Sequence, residues 1–265
     1  MNKPRDIEEV MTDGKKIKEI TEQLKQTQIS GLSGFISTYD TDERPGVLKL
    51  VTQAQKKLDK YHGELARMEE LKYFERKYSD VFTCICGIDE AGRGPLAGPV
   101  VAAAAVFPID TDIIGINDSK KLSEKKREEL YDVIMEKAIS VGVGMASPER
   151  IDEINILQAT YEAMRQAIGN LSVKPDLLLN DAVTIPEVDA KQVAIVKGDA
   201  KSISIGAASI IAKVTRDRLM YEYDRVMPEY GFAKHKGYGT KEHIEAIQKY
   251  GPSPIHRMTF ITHFI

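Results

Sequence analysis

The spacing of apolar positions divides the chain into a helical first part and a mixed second part. Residues 3–26 and 48–78 carry apolar side chains at every third or fourth position among many charges, which predicts two helical segments. Between them, residues 27–47 are rich in Ser, Thr, Gly and Asp and end in Arg44-Pro45-Gly46, which predicts a linker. We therefore expect a helical N-terminal extension over residues 1–70.

From residue 81 onward, short apolar runs alternate with helical patterns. The apolar runs predict strands at residues 81–88, 100–107, 140–146, 176–180 and 193–196. The helical patterns cover residues 124–138, 148–169, 204–226 and 241–250, with Ser123, Ser147 and Thr240 as expected N-caps. Strands that come first and then alternate with helices favour an α/β domain with a mixed sheet over residues 71–265.

Composition is that of an ordinary folded protein. The 265 residues are 42% hydrophobic and 29% charged, with a net charge of −3, which excludes disordered and collagen-like classes. No apolar run is long enough to span a membrane, and the first residues have no apolar signal-peptide core, so we expect neither membrane insertion nor export. Cys84 and Cys86 lie one residue apart, which suits neither a mutual disulfide nor a C-x-x-C redox pair. A reduced, cytoplasmic protein is the expectation.

Charge is distributed unevenly along the second part of the chain. Residues 81–196 hold 11 basic and 18 acidic side chains, a net charge of −7, whereas residues 197–257 hold 11 and 7, a net charge of +4. An acidic segment beside a basic one suits a site in which carboxylates are flanked by phosphate-binding groups. Such differences also arise in solvated proteins that have no such site, so charge alone leaves both interpretations open.

The strongest local signal is the segment GIDEAGRGPLAGP at residues 87–99. Asp89 and Glu90 follow an apolar run of strand type. Because neighbouring side chains of a strand point to opposite faces, the two carboxylates converge only where the strand ends or bulges. The surrounding glycines supply backbone freedom for such an end. For an Asp-Glu pair taken alone, a solvated turn is the common alternative.

Two further aspartates follow predicted strands. Asp181 comes directly after the strand at 176–180, and Asp199 follows the strand at 193–196, shortly before a predicted helix. Carboxylates gathered at strand ends repel one another unless a cation lies between them, and ligands that are all oxygen favour Mg²⁺ or Mn²⁺. Any one of these aspartates is more often a turn or cap residue. The hypothesis of a site for two cations therefore depends on all four carboxylates together.

The same segment partly matches two nucleotide-binding motifs. Residues 92–97 have the Gly-x-Gly-x-x-Ala spacing of the dinucleotide fingerprint, but that motif requires a helix to open at once, and Pro99 would lie inside it. A P-loop requires a lysine after its last glycine, whereas Pro99 follows Gly98. We therefore disfavour a dinucleotide-dependent enzyme and expect no organic cofactor.

The run at residues 87–98 resembles the signature of ribonuclease HII, the type 2 ribonuclease H. Further runs match that family in the same order: DSKKLS at 118–123, GDAKS at 198–202, AASIIAKVTRD at 207–217, HKGYGT at 235–240 and GPSPIHR at 251–257. The resemblance covers about residues 81–258. Residues 1–70 lie outside it and resemble the helical extension that some bacterial members carry. The sister type, ribonuclease HIII, differs in its sequence after the Asp-Glu pair.

This resemblance implies a ribonuclease H-like α/β fold, with a mixed central sheet flanked by helices. It implies that four carboxylates are catalytic and bind Mg²⁺ or Mn²⁺: Asp89, Glu90, Asp181 and Asp199. The implied activity is hydrolysis of the RNA strand of RNA–DNA hybrids and incision at ribonucleotides embedded in duplex DNA. Two metal ions would serve the reaction, which leaves 5′-phosphate and 3′-hydroxyl ends.

The resemblance also implies which residues bind the substrate. The 2′-hydroxyl separates RNA from DNA at a site, and the family's contacts to it correspond here to Gly92, Arg93 and Gly94. Tyr238 is expected beside the sugar at the RNA–DNA junction, although an ordinary half-buried loop tyrosine is the alternative. Lys120 and Lys213 are candidate phosphate contacts, and a solvated lysine is an equally common interpretation of each.

A second rival is a nucleic-acid-binding protein without catalytic activity. Such a protein would be expected to lack one of the acidic ligands, and all four are present. Nothing in the sequence requires assembly, so we expect a monomer.

Overall fold

The first compact unit of the protein is helical. The computed structural model describes residues 15–265, and the chain divides into two compact units between Arg67 and Met68. In the described part of the first unit, α1 spans Ile17–Gln26, α2 spans Leu32–Tyr39 and α3 spans Pro45–Leu71, continuing into the second unit. Residues 3–14 of the first predicted helix lie outside the described residues. The apolar side chains of the unit form one buried cluster: Ile20, Leu24, Leu32, Phe35, Tyr39, Val47, Leu50 and Ala54.

The linker predicted at residues 27–47 is wrong for much of its length. Helix α2 lies within it, and α3 already begins at Pro45. Leu32, Phe35 and Tyr39 recur at every third or fourth position and are all buried. Such spacing is that of a helix with one apolar face. The Ser, Thr and Gly residues between them are typical of linkers, which is why the sequence predicts a linker in place of this short amphipathic helix.

The second compact unit, Met68–Ile265, is built on one mixed sheet of five strands. The strands are β1 (Ile85–Ala91), β2 (Val100–Val106), β3 (Ser140–Ala146), β4 (Leu177–Asp181) and β5 (Lys191–Ile195). Their order is β3-β2-β1-β4-β5, with β1–β2 and β2–β3 antiparallel and with β1–β4 and β4–β5 parallel. The predicted mixed-sheet α/β fold is confirmed. Because β1 and β4 are parallel, their carboxyl ends lie at the same edge of the sheet.

Seven helices flank this sheet in the described residues. They are α4 (Tyr73–Tyr78), α5 (Glu124–Lys137), α6 (Pro148–Gly169), α7 (Ile203–Val226), α8 (Phe232–His235), α9 (Lys241–Tyr250) and α10 (Met258–Ile261). The predicted N-caps are confirmed, since Ser123, Ser147 and Thr240 each accept a hydrogen bond from the backbone N–H three residues on. Within residues 15–265, no helix combines the length and the apolar character needed to cross a membrane.

Strand β2 is buried on both of its faces. Ala103 and Ala105 pack with residues of α5 and α7, whereas Ala102 and Ala104 pack with residues of α6. Since successive side chains of a strand point to opposite sides, the two sets belong to two separate cores. A strand covered on both faces has a continuous apolar sequence, which is why residues 100–106 show no alternation.

Helix α7 approaches the sheet very closely at Gly87. A β-carbon on Gly87 would lie 2.1 Å from the backbone carbonyl carbon of Ser204. Only glycine leaves room for the first turn of α7 to lie directly on β1. The contact is two residues before Asp89, so it fixes the distance between α7 and the end of β1.

Glu75 of α4 holds the same first turn of α7. Its Oε1 accepts hydrogen bonds from the Ser202 hydroxyl at 2.6 Å, the Ser204 hydroxyl at 2.6 Å and the Ser204 N–H at 3.1 Å. A carboxylate is favourable at a helix N-terminus because the unpaired N–H groups there carry partial positive charge. Glu75 and Gly87 together fix where α7 begins.

We expect Gly87→Ala to lower the free energy of unfolding by about 1–3 kcal/mol, because its methyl group would overlap backbone atoms that cannot rotate away. The matched control is Gly169→Ala, since a β-carbon there would have nothing within 4 Å. We expect the control to change the free energy of unfolding by less than about 1 kcal/mol. Urea unfolding of both variants measures the difference. Equally small changes in the two would contradict a tight contact at Gly87.

Candidate metal centre and nucleic-acid site

Asp89 and Glu90 lie within β1 and not after it. The strand begins and ends later than predicted, and it pairs with β2 in unbroken register, Asp89 opposite Ala103 and Glu90 opposite Ala102. The two carboxylates lie near the end of the strand, as predicted, but the strand continues to Ala91 and has no bulge at either residue. By the alternation of the strand, Asp89 shares the α7 side with Gly87, and Glu90 begins on the opposite side.

Asp181 lies beside Asp89 because of the parallel pairing of two strands. It is the last residue of β4, and the register that pairs Ile88 with Asn180 brings it to the same edge of the sheet. The Asp181 carboxylate accepts a hydrogen bond from the Gly198 N–H at 2.7 Å. This bond joins the end of β4 to the turn that carries Asp199.

Asp199 lies in a short 3-10 turn, Gly198–Ala200, between β5 and α7. The preceding residue, Lys197, has a left-handed backbone with φ of 58°, and this conformation reverses the chain as it leaves the sheet. Asp199 is partly buried, as are Glu90 and Asp181, whereas Asp89 is only 6% exposed. The four predicted carboxylates thus come from three separate segments that meet at one edge of the sheet.

The electrostatics of the site show that the four carboxylates act on one another. Burial raises the pKa of Asp89 well above its usual value, and the charges of Glu90 and Asp181 raise it further. Burial also raises the pKa of Glu90, where Asp181 adds to the effect and Arg93 opposes it. For Asp199, burial raises the pKa first, followed by the charges of Asp118 and Asp181. The site therefore holds more negative charge than the protein itself neutralises.

Two positive side chains lie close enough to oppose this charge. Arg93 approaches Glu90 with an Nη1–Oε1 distance of 3.3 Å. The charge of Lys120 lowers the pKa of both Glu90 and Asp199, which puts this predicted phosphate contact beside the carboxylates. Both side chains are exposed, so each can also contact a bound anion.

Sequence reasoning missed two residues of the site, Asp118 and Ser209. Asp118 is close enough to Asp199 to raise its pKa, and Ser209 of α7 forms a hydrogen bond with the Asp89 carboxylate. The Ser209 hydroxyl is also 3.0 Å from that of Ser119, which anchors the turn that carries Lys120. Both residues lie inside the runs that resemble ribonuclease HII, so their position in those runs was the available signal.

The carboxylates fit a hard divalent cation in ligand type and in charge. All their donors are oxygen atoms, and their mutual effect on pKa is the repulsion that a cation relieves. In residues 15–265, no three His, Cys, Asp or Glu side chains are arranged as a complete ligand set for one ion. Mg²⁺ ordinarily uses one or two carboxylates, several waters and substrate phosphate oxygens, so a complete protein cage is not required.

The predicted substrate-binding residues of the glycine-rich loop directly follow β1. Gly92, with φ of 94°, turns the chain away from the sheet, and Arg93 and Gly94 are exposed. Tyr238 lies beside them, with ring atom Cε1 3.9 Å from the position of a β-carbon on Gly94. The Leu96 N–H donates to the Gly237 carbonyl at 2.8 Å, which ties the two loops together. The structure therefore brings these four candidates to the rim of the carboxylate site.

Lys213 stands apart from the other predicted contacts. Its ammonium group lies 2.7 Å from the Asp217 carboxylate one turn further along α7. The side chain is mostly buried, and its charge is largely matched by that partner. No contact in residues 15–265 joins Lys213 to any of the four carboxylates.

Three buried histidines form a connected cluster against the loop that carries Tyr238. The Ser253 N–H donates to His256 Nδ1, so His256 carries its proton on Nε2. The His256 Nε2–H then donates to His243 Nε2 at 3.0 Å. His243 then carries its proton on Nδ1 and donates to the Tyr238 carbonyl at 2.9 Å. The His235 ring stacks on that of His243 and accepts from the Gly237 N–H. Every link of this chain requires neutral rings.

Comparison with known proteins identifies the family to which this fold belongs. The family model described as ribonuclease HII matches residues 86–263, and that of the ribonuclease HII N-terminal domain matches residues 16–79. The ribonuclease HII of Lachnoclostridium phytofermentans is 62% identical over 246 residues, covering 93% of this chain and 96% of the relative. That of Clostridioides difficile is 55% identical over 252 residues, covering 95% and 99%.

A solved structure gives the same result at the level of the fold. The ribonuclease H2 from Pyrococcus horikoshii aligns with a TM-score of 0.58 and 32% identity, over 69% of this chain and 99% of that one. The mixed sheet with its flanking helices is thus a ribonuclease H-like fold. The chain belongs to the ribonuclease HII family, whose members are divalent-metal-dependent endonucleases that hydrolyse phosphodiester bonds in the RNA of RNA–DNA hybrids.

The buried histidines lead us to expect a pH dependence of stability. Burial lowers the pKa of His243 and His256 from 6.5 to about 4, so between these values the unfolded chain binds more protons than the folded one. The stabilisation is complete above pH 6.5 and is lost as the pH falls toward 4. We expect the free energy of unfolding to fall by roughly 2 kcal/mol from pH 7 to pH 5.5 through these two groups.

Urea unfolding across this pH range tests the expectation. His243→Asn keeps a donor for the Tyr238 carbonyl but removes one titrating ring, so the part of the pH dependence that comes from His243 and His256 should be about halved. His263→Gln, at an exposed position, is the matched control and should follow the parent protein. An unchanged slope in His243→Asn would show that the buried ring does not titrate as expected.

Proposed function

We propose that this protein hydrolyses the RNA strand of RNA–DNA hybrids and also incises duplex DNA at single embedded ribonucleotides. A water oxygen adds to the scissile phosphorus while the bond from phosphorus to the 3′-oxygen breaks. The products carry a 5′-phosphate and a 3′-hydroxyl. No covalent bond forms between the enzyme and the substrate.

Asp89, Glu90, Asp181 and Asp199 would hold two divalent cations, Mg²⁺ or Mn²⁺. When bound, the cations supply the positive charge that stabilises the attacking and leaving oxygens of an in-line displacement. The protein's part is to gather and orient these carboxylates. The Gly198 N–H orients Asp181, and Ser209 orients Asp89. Lys120 and Arg93 attract the phosphate backbone to the edge of the site.

The preference for a ribonucleotide would come from the loop that follows β1. The backbone of Gly92, Arg93 and Gly94 contacts the 2′-hydroxyl, which can accept and donate hydrogen bonds. Glycine permits this because it adds no side chain between the backbone and the minor groove. The exposed Tyr238 ring packs on the sugar next to the ribonucleotide.

The observation that carries the proposal is the position of the loop relative to the carboxylates. Gly92 is two residues beyond Glu90. A nucleotide whose 2′-hydroxyl contacts the loop therefore has its phosphate beside the carboxylates. Recognition and hydrolysis then act on the same nucleotide. The proposal rests on this proximity together with membership of the family.

We further propose that one chain acts alone, in the cytoplasm. The carboxylates and both substrate-contacting loops come from the same unit of one chain, which supports a monomer. The two cysteines are free, and Cys86 is buried, which is in keeping with a reducing compartment.

Cleavage of duplex DNA that carries one ribonucleotide tests the proposed function. With Mg²⁺ or Mn²⁺ we expect a single cut at the ribonucleotide, no cut in an all-DNA duplex, and loss of cutting in Asp89→Asn. The cutting rate should fall by more than about a hundredfold. That is more than is usual when a residue that only supports a metal ligand is removed. A folded protein that cuts neither this duplex nor a long hybrid would instead be a silent binding protein.

Asp181→Asn separates binding from turnover. We expect it to bind an RNA–DNA hybrid nearly as well as the parent protein while losing most turnover, because the amide keeps the shape of the side chain but not its charge. The matched control is Asp189→Asn, an exposed carboxylate in the connection from β4 to β5. Binding is measured by fluorescence anisotropy and turnover by gel assay. Near-normal turnover in Asp181→Asn would remove Asp181 from the metal site.

A further inference from the structure

Arg257 is fully buried and holds the glycine-rich loop from below. Its Nη1 donates to the Arg93 carbonyl at 2.8 Å, its Nη2 to the Gly92 carbonyl at 2.5 Å, and its Nε to the Gly98 carbonyl at 3.0 Å. Three nitrogens of one planar group therefore bind both ends of the loop. This use of the fixed guanidinium fork cannot be copied by a single ammonium group.

A second buried guanidinium, that of Arg216, holds the base of the same loop. It donates to the carbonyls of Ala97 and Pro99, and also to that of Lys236, next to the Tyr238 loop. Neither Arg216 nor Arg257 forms an ion pair with a carboxylate in residues 15–265. Burial lowers the pKa of both, that of Arg257 to about 9 with the charge of Arg216 adding to the effect.

Two buried cations without a carboxylate partner are costly, so their position calls for a reason in function. Among the described residues, the hydrogen bonds of both guanidinium groups all go to backbone carbonyls of the loops that carry Gly92 and Tyr238. For loop anchoring alone, neutral donors would avoid the desolvation of charge. A guanidinium group differs from neutral donors because its several N–H groups hold several carbonyls in one direction at once.

The direction of those carbonyls sets the direction of the amides. In a trans peptide unit, the C=O and the following N–H point opposite ways. Since the carbonyls of Gly92 and Arg93 point inward to Arg257, the N–H groups of Arg93 and Gly94 point outward. These two N–H groups donate to no acceptor within residues 15–265, and both residues are exposed.

We propose that Arg257 is a positioning residue for substrate choice, which turns the Arg93 and Gly94 amides outward as paired donors to the 2′-oxygen of a ribonucleotide. The inference rests on the proposed function, and it adds the residue that organises the contact. Arg257 touches no substrate itself. A deoxynucleotide offers these amides no oxygen, so they lose their hydration without a replacement partner.

Arg257→Lys tests the inference, because it keeps the buried charge but not the fork. We measure binding to a duplex with one ribonucleotide and to the same all-DNA duplex, with Ca²⁺ as the cation, and take the ratio of the two dissociation constants. We expect the ribonucleotide preference to fall about tenfold or more, while affinity for all-DNA changes by less than about twofold. Arg218→Lys is the matched control, since Arg218 pairs with Glu128 near the surface.

The outcomes separate this inference from the proposed function. A parent protein without any ribonucleotide preference would overturn both. A parent protein with that preference, together with a folded Arg257→Lys variant that keeps it, would overturn the role of Arg257 alone. Equal weakening on both duplexes would mark Arg257 as a structural residue and would likewise overturn its role in substrate choice.

Hydrogen exchange on the parent protein gives a test that does not depend on folding of a variant. We expect the amides of Arg93 and Gly94 to exchange rapidly in the free protein, because they point outward. The duplex with one ribonucleotide should slow their exchange at least about tenfold more than the all-DNA duplex does. Equal protection by the two duplexes, or slow exchange in the free protein, would contradict the outward position of these donors.

Discussion

The close contact between Gly87 and the first turn of α7 is the constraint on which the rest of the structure depends. With α7 lying directly on β1, Ser209 reaches Asp89, and the turn before the helix brings Asp199 to the end of β4. The buried carboxylate of Glu75 fixes the same turn from the other side. Carboxylates from separate segments meet at this sheet edge because one glycine lets a helix begin close to it.

Opposite charges are kept in separate layers around the substrate site. Burial and mutual repulsion raise the pKa of the carboxylates at the sheet edge, while two guanidinium groups lie behind the glycine-rich loop and donate their hydrogen bonds to backbone carbonyls. If the cations could reach Asp89 or Asp181, they would neutralise the charge that attracts a divalent ion. Burying them among carbonyls prevents that pairing and still uses their hydrogen bonds.

Residue pattern predicts the sheet, the helix caps and the position of Asp181, because each follows from local periodicity and strand ends. It is less accurate where polar residues lie inside a strand: the apolar run stops at Ile88, whereas the pairing with β2 includes Asp89 and Glu90 and ends at Ala91. It also fails for the short helix at residues 32–39, whose apolar face is only three residues. No sequence pattern indicates the role of Arg257, because its partners are backbone carbonyls, which every residue possesses.

The bond from Arg257 to the Arg93 carbonyl joins residues 164 positions apart. During synthesis, the strand that carries Asp89 leaves the ribosome long before the residue that fixes the loop beside it. Contacts between such distant positions carry a loop-closure cost and slow folding. A nascent chain that stops short of residue 257 therefore has its acidic residues, but its glycine-rich loop lacks the hydrogen bonds from Arg257. The glycine-rich loop therefore gains its hydrogen bonds to Arg257 only after residue 257 has been synthesised.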